Sequence, residues 1–282
     1  MALVPMKDLL KKAEEQNKAA GAFSVGNMEM VMGVIRAAEE TETPVILQIA
    51  EKRLLNSPLR LMGPMMVSAA KEAKVDVAVH LDHGLTLGCI QSALDMGFTS
   101  VMLDCSLKPL EENIILTKAV VERAAAYGAT VEAELGVVGG NEGDTEEHII
   151  RCTDPDEAKY FAESTGIDCL AVAIGNAHGN YPVAPTLCFD VLEQIHNTVN
   201  IPLVLHGGTG ISPEDFRRAI SLGVRKINIA TAGFDSLSAA VSNYIRSTES
   251  KADYFTMSAL AAGGVYENTK RHINIFNCAL PL

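Results

Sequence analysis

Eight short apolar runs alternate with longer amphipathic stretches along most of the chain. The runs cover residues 21–25, 44–50, 76–82, 99–104, 129–135, 168–175, 201–207 and 224–230 and consist mostly of Val, Ile, Leu and Ala. Near-continuous apolar character suits parallel strands buried on both faces, where an in–out alternation of polarity is not needed. Helix start signals fall between the runs. Asn27 is placed to cap a helix reaching Glu42, Asp154-Pro155 opens another with proline in its first turn, and Ser212-Pro213-Glu214 opens a third in the same way. Eight such repeats predict an α/β fold, the closed (β/α)8 TIM barrel. An open doubly wound sheet is the alternative, but its usual G-x-G-x-x-G after the first strand is absent.

Length fits the same picture. The 282 residues suit a single barrel domain spanning 1–282, with 250–282 as a helical extension that packs on the barrel or on a neighbour. Apolar residues make up 48% of the chain, enough for a large core. A formal net charge of −12 argues against nucleic acid or an anionic membrane as a partner, although a local site in an acidic protein can still be positive. The six cysteines form no C-x-x-C pair, which suits a reduced compartment. No signal-like stretch opens the chain and no apolar run is long enough to span a bilayer, so a cytoplasmic protein is expected.

Barrels carry their chemistry at the C-terminal ends of the strands. There stand His80-Leu81-Asp82-His83-Gly84 after the third run, Asp104 after the fourth and Glu132 and Glu134 on the fifth. Gly175-Asn176-Ala177-His178-Gly179 follows the sixth, His206-Gly207-Gly208-Thr209-Gly210 the seventh and Asn228-Ile229-Ala230-Thr231 the eighth. His83, His178 and His206 thus share one rim, and three imidazoles with an open fourth position are a catalytic zinc pattern. A single such histidine would read as a hydrogen-bonded loop residue. His80 reads as structural; His148, His196 and His272 fall in polar or helical contexts.

The glycines after His206 would let backbone N–H groups approach an anion, and phosphate often binds after strands seven and eight of a barrel. A turn needing unusual dihedrals is the plainer reading. Asp82 adjoins a ligand candidate. Asp104 and Glu134 are read as a candidate second metal position, as groups orienting the first metal's ligands, or as carboxylates paired to a structural cation. Glu142 lies in a Gly-flanked loop and is either a carboxylate able to swing inward or a solvated loop acid.

The strings VHLDHG, VEAELG, AIGNAHG and LVLHGGTGI, in this order and spacing, resemble the class II fructose- and tagatose-bisphosphate aldolases over about residues 7–247. The resemblance implies a (β/α)8 barrel, a homodimer or homotetramer, acting on a small sugar phosphate by reversible retro-aldol cleavage that yields dihydroxyacetone phosphate. It implies Zn2+ on His83, His178 and His206, with a monovalent cation (Na+ or K+) near backbone oxygens at Gly179 and Gly207. Asp82 would exchange a proton with the C4 hydroxyl, Glu142 would serve the C3 proton, and Asp104 and Glu134 match acidic positions near the metal. Gly179, Gly207, Gly208, Thr209, Asn228 and Thr231 would bind the phosphorylated three-carbon half.

Three departures bear on the substrate. Relatives often carry Asp-Pro-Arg near the C-terminus, whose arginine reads a distal phosphate; here residues 250–255 contain no arginine. A family asparagine on the first strand is Ser24, and Ala50 is followed by Glu51-Lys52-Arg53. Lys52 and Arg53 read as solvent-facing charges or as receivers of another anion, such as a sugar carboxylate. An atypical ketose 1-phosphate is therefore expected. A zinc-dependent barrel hydrolase and a fructose- or tagatose-1,6-bisphosphate aldolase are the alternatives.

Overall fold

A computed structural model of the chain describes residues 2–140, 151–181, 183–248 and 251–278. Every apolar run overlaps a strand: β1 (Ala20–Ser24), β2 (Val45–Ala50), β3 (Val77–Gly84), β4 (Ser100–Leu103), β5 (Thr130–Leu135), β6 (Cys169–Val172), β7 (Leu203–Leu205) and β8 (Val224–Ile229). They pair in parallel in chain order, and β8 closes on β1 with Ala22 opposite Asn228. The expected (β/α)8 barrel is the fold.

Around it lie α1 (Met6–Glu15), α2 (Met28–Glu40), α3 (Leu59–Glu72), α4 (Leu87–Asp95), α5 (Leu110–Ala125), α6 (Pro155–Thr165), α7 (Phe189–Thr198), α8 (Pro213–Ser221), α9 (Thr231–Ser247) and α10 (Tyr254–Phe276). The predicted caps are in place. Asn27 Oδ1 accepts from Met30 N at 2.9 Å, Asp154 Oδ1 from Asp156 N and Glu157 N at 3.0 Å, and Ser212 Oγ from Asp215 N at 3.1 Å. The first helix after β1 ends at Glu40 rather than Glu42, because Glu42 turns to φ +48°.

Burial on both strand faces has two destinations. Side chains such as Leu47, Val79, Val131 and Leu205 pack outward against the helices in one large core. Ala22, Ile46, Ala78, Ala171 and Val204 point into the lumen, where Met6, Leu9 and Leu10 of α1 plug its N-terminal end. The C-terminal helix α10 packs on this chain's own barrel: Tyr266 Oη donates to Glu40 Oε2 at 2.6 Å, and Phe276 stacks edge-on against Phe216 at 5.1 Å between ring centroids. Among the described residues, no helix is long and apolar enough to cross a membrane.

Candidate active site

The strand-end residues converge because three strands end irregularly. In β3 the register against β4 shifts between Leu81 and Gly84, and His83 sits in this bulge at φ +40°. A regular strand would send Asp82 and His83 to opposite faces; the bulge re-aims one, so both are buried in the same site. Gly84 is needed there, since a Cβ would collide with the Met102 carbonyl. The sixth and seventh strands are shorter than their apolar runs. β6 ends at Val172, so His178 lies in the β6–α7 connection rather than at a strand end, and His206 follows directly after β7.

The two loops are tied to each other. Tyr181 Oη accepts from Ala177 N at 2.7 Å and donates to Gly207 O at 2.9 Å, while Asn176 Nδ2 donates to His206 O at 3.0 Å. Gly207 takes φ +65°, and a Cβ on it would strike the Ala177 carbonyl. His178 N donates to Gly139 O at 2.7 Å, which ties the loop carrying His178 to the segment just after β5.

The three rings meet at centroid separations of 4.8 Å (His83–His178), 4.7 Å (His83–His206) and 5.7 Å (His178–His206). Two of them have one nitrogen held from behind. His83 Nδ1 lies 2.7 Å from Asp104 Oδ2, and Asp104 Oδ1 is fixed by Ser106 N and Oγ at 3.2 and 2.8 Å. His206 Nε2 lies 2.8 Å from Glu132 Oε1, and Glu132 is paired with Lys226 Nζ at 2.8 Å. The other nitrogens, His83 Nε2 and His206 Nδ1, are buried without a hydrogen-bond partner. Glu134 Oε2 is likewise unpartnered, although it lies 3.1 Å from His206 Nδ1 in poor alignment. Buried polar atoms rarely stay unpaired unless a ligand is to meet them. One ligand atom from each of His83, His178 and His206 falls within 4.8 Å of the others, a spacing that one ion can bridge. The residues present therefore fit a metal. His83, Asp104 and Glu134 form a second, overlapping group of the same compactness.

Charge follows the same geometry. Burial opposes a proton on His83, but Asp82 and the Asp104 hydrogen bond outweigh it and raise its pKa to about 10. Burial, then the neighbouring His83 and His206, hold His178 well below its ordinary value. Asp82 stays low against burial because His83 and Lys226 face it. Below this layer His80 is pushed down to about 3 by burial and Lys226; its Nδ1 lies 2.8 Å from Ser100 Oγ, while its Nε2 is buried without a hydrogen-bond partner near Asp82 and Glu132.

Gly179, Gly207, Gly208, Thr209, Asn228 and Thr231 line one cleft with Gln48, Asp82 and His178. The N-terminus of α9 opens on it, and Thr209 Oγ1 accepts from Ala232 N at 3.1 Å. Asp82 is gripped at both oxygens, by Gln48 Nε2 and by Asn228 Nδ2, each at 3.1 Å. A second cavity, of about 270 Å³, shares His178 with this cleft and is also lined by His83, Asp104, Glu134 and Lys108.

At the mouth, a 3-10 turn follows β2 at Glu51–Leu55. Glu51 accepts from Leu85 N at 2.7 Å, Thr86 N at 3.0 Å and Thr86 Oγ1 at 2.7 Å, fixing the turn beside the His83 bulge. Arg53 is exposed and lies over the Phe234 ring at 5.7 Å. Glu142 lies outside the described residues, as does Ser250. Sequence reasoning placed Glu132 on the fifth strand without giving it a role and passed over Lys226 and Tyr181. The signal was a glutamate and a lysine embedded in apolar strand runs, which only a barrel lumen accommodates.

The relatives agree with this geometry. The family described as Fructose-bisphosphate aldolase class-II matches residues 4–280. A fructose-bisphosphate aldolase of Geobacillus stearothermophilus is 45% identical over 240 residues, 82% of each chain. One from Staphylococcus aureus is 38% identical over 281 residues, 98% of each. The crystal structure of the YdjI aldolase from Escherichia coli K12 superposes with a TM-score of 0.87 at 38% identity, covering 97% of each chain. The chain belongs to the class II fructose-bisphosphate aldolase family. It is an aldolase, an aldehyde-lyase that makes and breaks a carbon–carbon bond, and the barrel-hydrolase alternative is set aside.

Proposed function

We propose that this enzyme is a zinc-dependent aldolase that reversibly cleaves a ketose 1-phosphate to dihydroxyacetone phosphate and an aldehyde. One observation carries the reading: the partnerless His83 Nε2 and His206 Nδ1 are buried in the same site as a doubly held Asp82 and a glycine-lined cleft at a helix N-terminus. His83, His178 and His206 would hold the metal, and Asp104 and Glu132 would fix two of the rings from behind. Zinc bound there supplies Lewis acidity toward the substrate's carbonyl and hydroxyl oxygens.

The chain's own groups do the rest. Gly179, Gly207, Gly208, Thr209 and Thr231 receive the phosphate with backbone N–H and hydroxyl donors. Asn228 Oδ1, buried and unpartnered, is available to a substrate hydroxyl. Asp82 takes the C4 hydroxyl proton as the C3–C4 bond breaks and returns it in the synthetic direction; Gln48 and Asn228 keep its carboxylate aimed. Glu142 is assigned the C3 proton on the family resemblance. Asp104 and Glu134 are the candidate second metal position, and a monovalent cation is placed near the Gly179 and Gly207 carbonyls. The chain is read as one barrel domain with α10 as its helical extension. It acts in the cytoplasm as a homodimer or homotetramer, a reading supported by the exposed Tyr254 and Phe255 at the start of α10.

The monophosphate preference rests on residues 250–255, which hold no arginine. The second reading, a 1,6-bisphosphate substrate, is favoured by the names of the relatives and would use Arg53 at the mouth. A panel of matched ketose 1-phosphates and 1,6-bisphosphates, assayed for dihydroxyacetone phosphate with and without chelator, separates them. The monophosphate should be preferred in kcat/KM, because the bisphosphate goes without the charge-assisted contact that would be worth about 10–100-fold to it. A roughly tenfold advantage of the bisphosphate would overturn the substrate assignment and leave the aldolase assignment standing.

A further inference from the structure

Cys152 and Cys188 take no part in the site, yet their sulfurs lie 3.7 Å apart although the residues are 36 positions apart in the chain. Both backbones are anchored where they stand. Arg151 pairs with Val137 through hydrogen bonds of 2.9 and 3.2 Å, and Thr153 N donates to Ala173 O at 2.8 Å. Cys188 N, at the cap position of α7, donates to Ile174 O at 2.7 Å. The acceptors are the consecutive carbonyls of Ala173 and Ile174, just past β6, so the two cysteines are held side by side on one short stretch of backbone. Both are partly exposed. Among the described residues no other cysteine has a sulfur neighbour: Cys169 faces Glu132, Cys278 faces the Asn17 carbonyl, Cys105 is buried, and Cys89 is half-buried beside Glu51.

We propose that Cys152 and Cys188 are an oxidation site, converted by a hydroperoxide or a low-molecular-weight disulfide into a reversible intramolecular disulfide. A disulfide needs its sulfurs at about 2.05 Å, a closure on the scale of side-chain rotation from contact distance. With hydrogen peroxide, one thiol gives up its proton, the thiolate attacks an oxygen and the O–O bond breaks; a sulfenic acid and hydroxide form, and the hydroxide takes up the released proton as water. The second thiol then attacks that sulfur and expels a second water. With a small disulfide, the first thiolate forms a mixed disulfide and releases one thiol; the second cysteine displaces the other. Burial and the neighbouring thiol raise the Cys152 pKa, so little of it is thiolate at neutral pH and the attack on an oxidant is slow. The bridge would span the connection carrying His178, joining the segment after residue 150 to the start of α7.

The test uses the metal-loaded full chain, treated with hydrogen peroxide or with oxidised glutathione, then alkylated, digested without reduction and mapped by mass spectrometry. The expected product is a Cys152–Cys188 peptide pair lacking two hydrogens, with two fewer free thiols, reversed by dithiothreitol. Its unfolding midpoint should rise by on the order of 5 °C, since the bridge constrains a long loop of the unfolded chain. Cys188→Ser should abolish the pair and the shift and leave a glutathione adduct on Cys152; Cys152→Ser should do the converse. Independent adducts on both cysteines in the unmutated chain would overturn the proposal. So would an unreacted pair under conditions that fully modify the exposed Cys278.

Discussion

At the N-terminal end of the barrel, Met6, Leu9 and Leu10 fill the lumen against Ala22, Ile46, Ala78 and Val204. Farther along the same strands the lumen holds His80, Asp82, Glu132, Lys226 and Asn228, all buried. The lower end is solved by volume alone, and any set of apolar side chains of similar shape would serve. The upper end is solved by pairing, and there the pairing stops short. His83 Nε2, His206 Nδ1, Glu134 Oε2 and Asn228 Oδ1 have no partner. Each such atom costs about 1–3 kcal/mol of stability when it stays unmet, so the clustering marks where a ligand binds rather than where the fold gains stability.

Substitutions at the two ends should separate accordingly. The largest effect is expected at His206→Ala, which removes a ring held by Glu132 and a partnerless nitrogen together. The purified variant should contain little metal by elemental analysis and have no measurable cleavage; a full metal complement would remove His206 from the ligand set. Asp82→Ala comes next. It should keep its metal and lose about 10²–10⁴-fold in kcat, as loss of a general acid–base group does. Near-normal turnover would exclude the proton-transfer role.

Lys226→Met probes the layer between the two ends. Glu132 would remain buried without its cation, at a cost of about 3–5 kcal/mol in stability. His206 would lose its fixed partner, and metal affinity in a chelator competition should fall by about 10–100-fold. Unchanged affinity in a destabilised variant would show that the ion pair serves the fold only. Leu10→Ala is expected to have the smallest catalytic effect. It should lower stability by about 2–5 kcal/mol in denaturant melts while kcat per folded molecule stays as in the parent. A large fall in kcat would mean that the plug communicates with the rim.

The same contrast explains what could be read from the chain beforehand. Strand positions were legible because each run is apolar on both faces, and helix starts because Asn27, Asp154 and Ser212 are capping residues in capping positions. The rim histidines stood out because each is followed by glycine. Lys226 did not: in sequence it is one lysine in β8, and only barrel closure sets it beside Glu132, 94 positions away. The bulge at His83 has no local signature beyond Gly84, whose close approach to the Met102 carbonyl comes from the neighbouring strand. Tyr181 reads as an ordinary loop aromatic until two separate loops are found to share its hydroxyl.

The central claim, that the upper end of the lumen is built around a catalytic cation, is tested most directly by removing that cation. The purified enzyme should be stripped with a chelator, verified metal-free by elemental analysis, and assayed for release of dihydroxyacetone phosphate before and after stoichiometric Zn2+ is returned. Cleavage should vanish in the stripped protein and return with the added ion while the fold, followed by circular dichroism, stays intact. Full activity in protein shown to be metal-free would contradict the account.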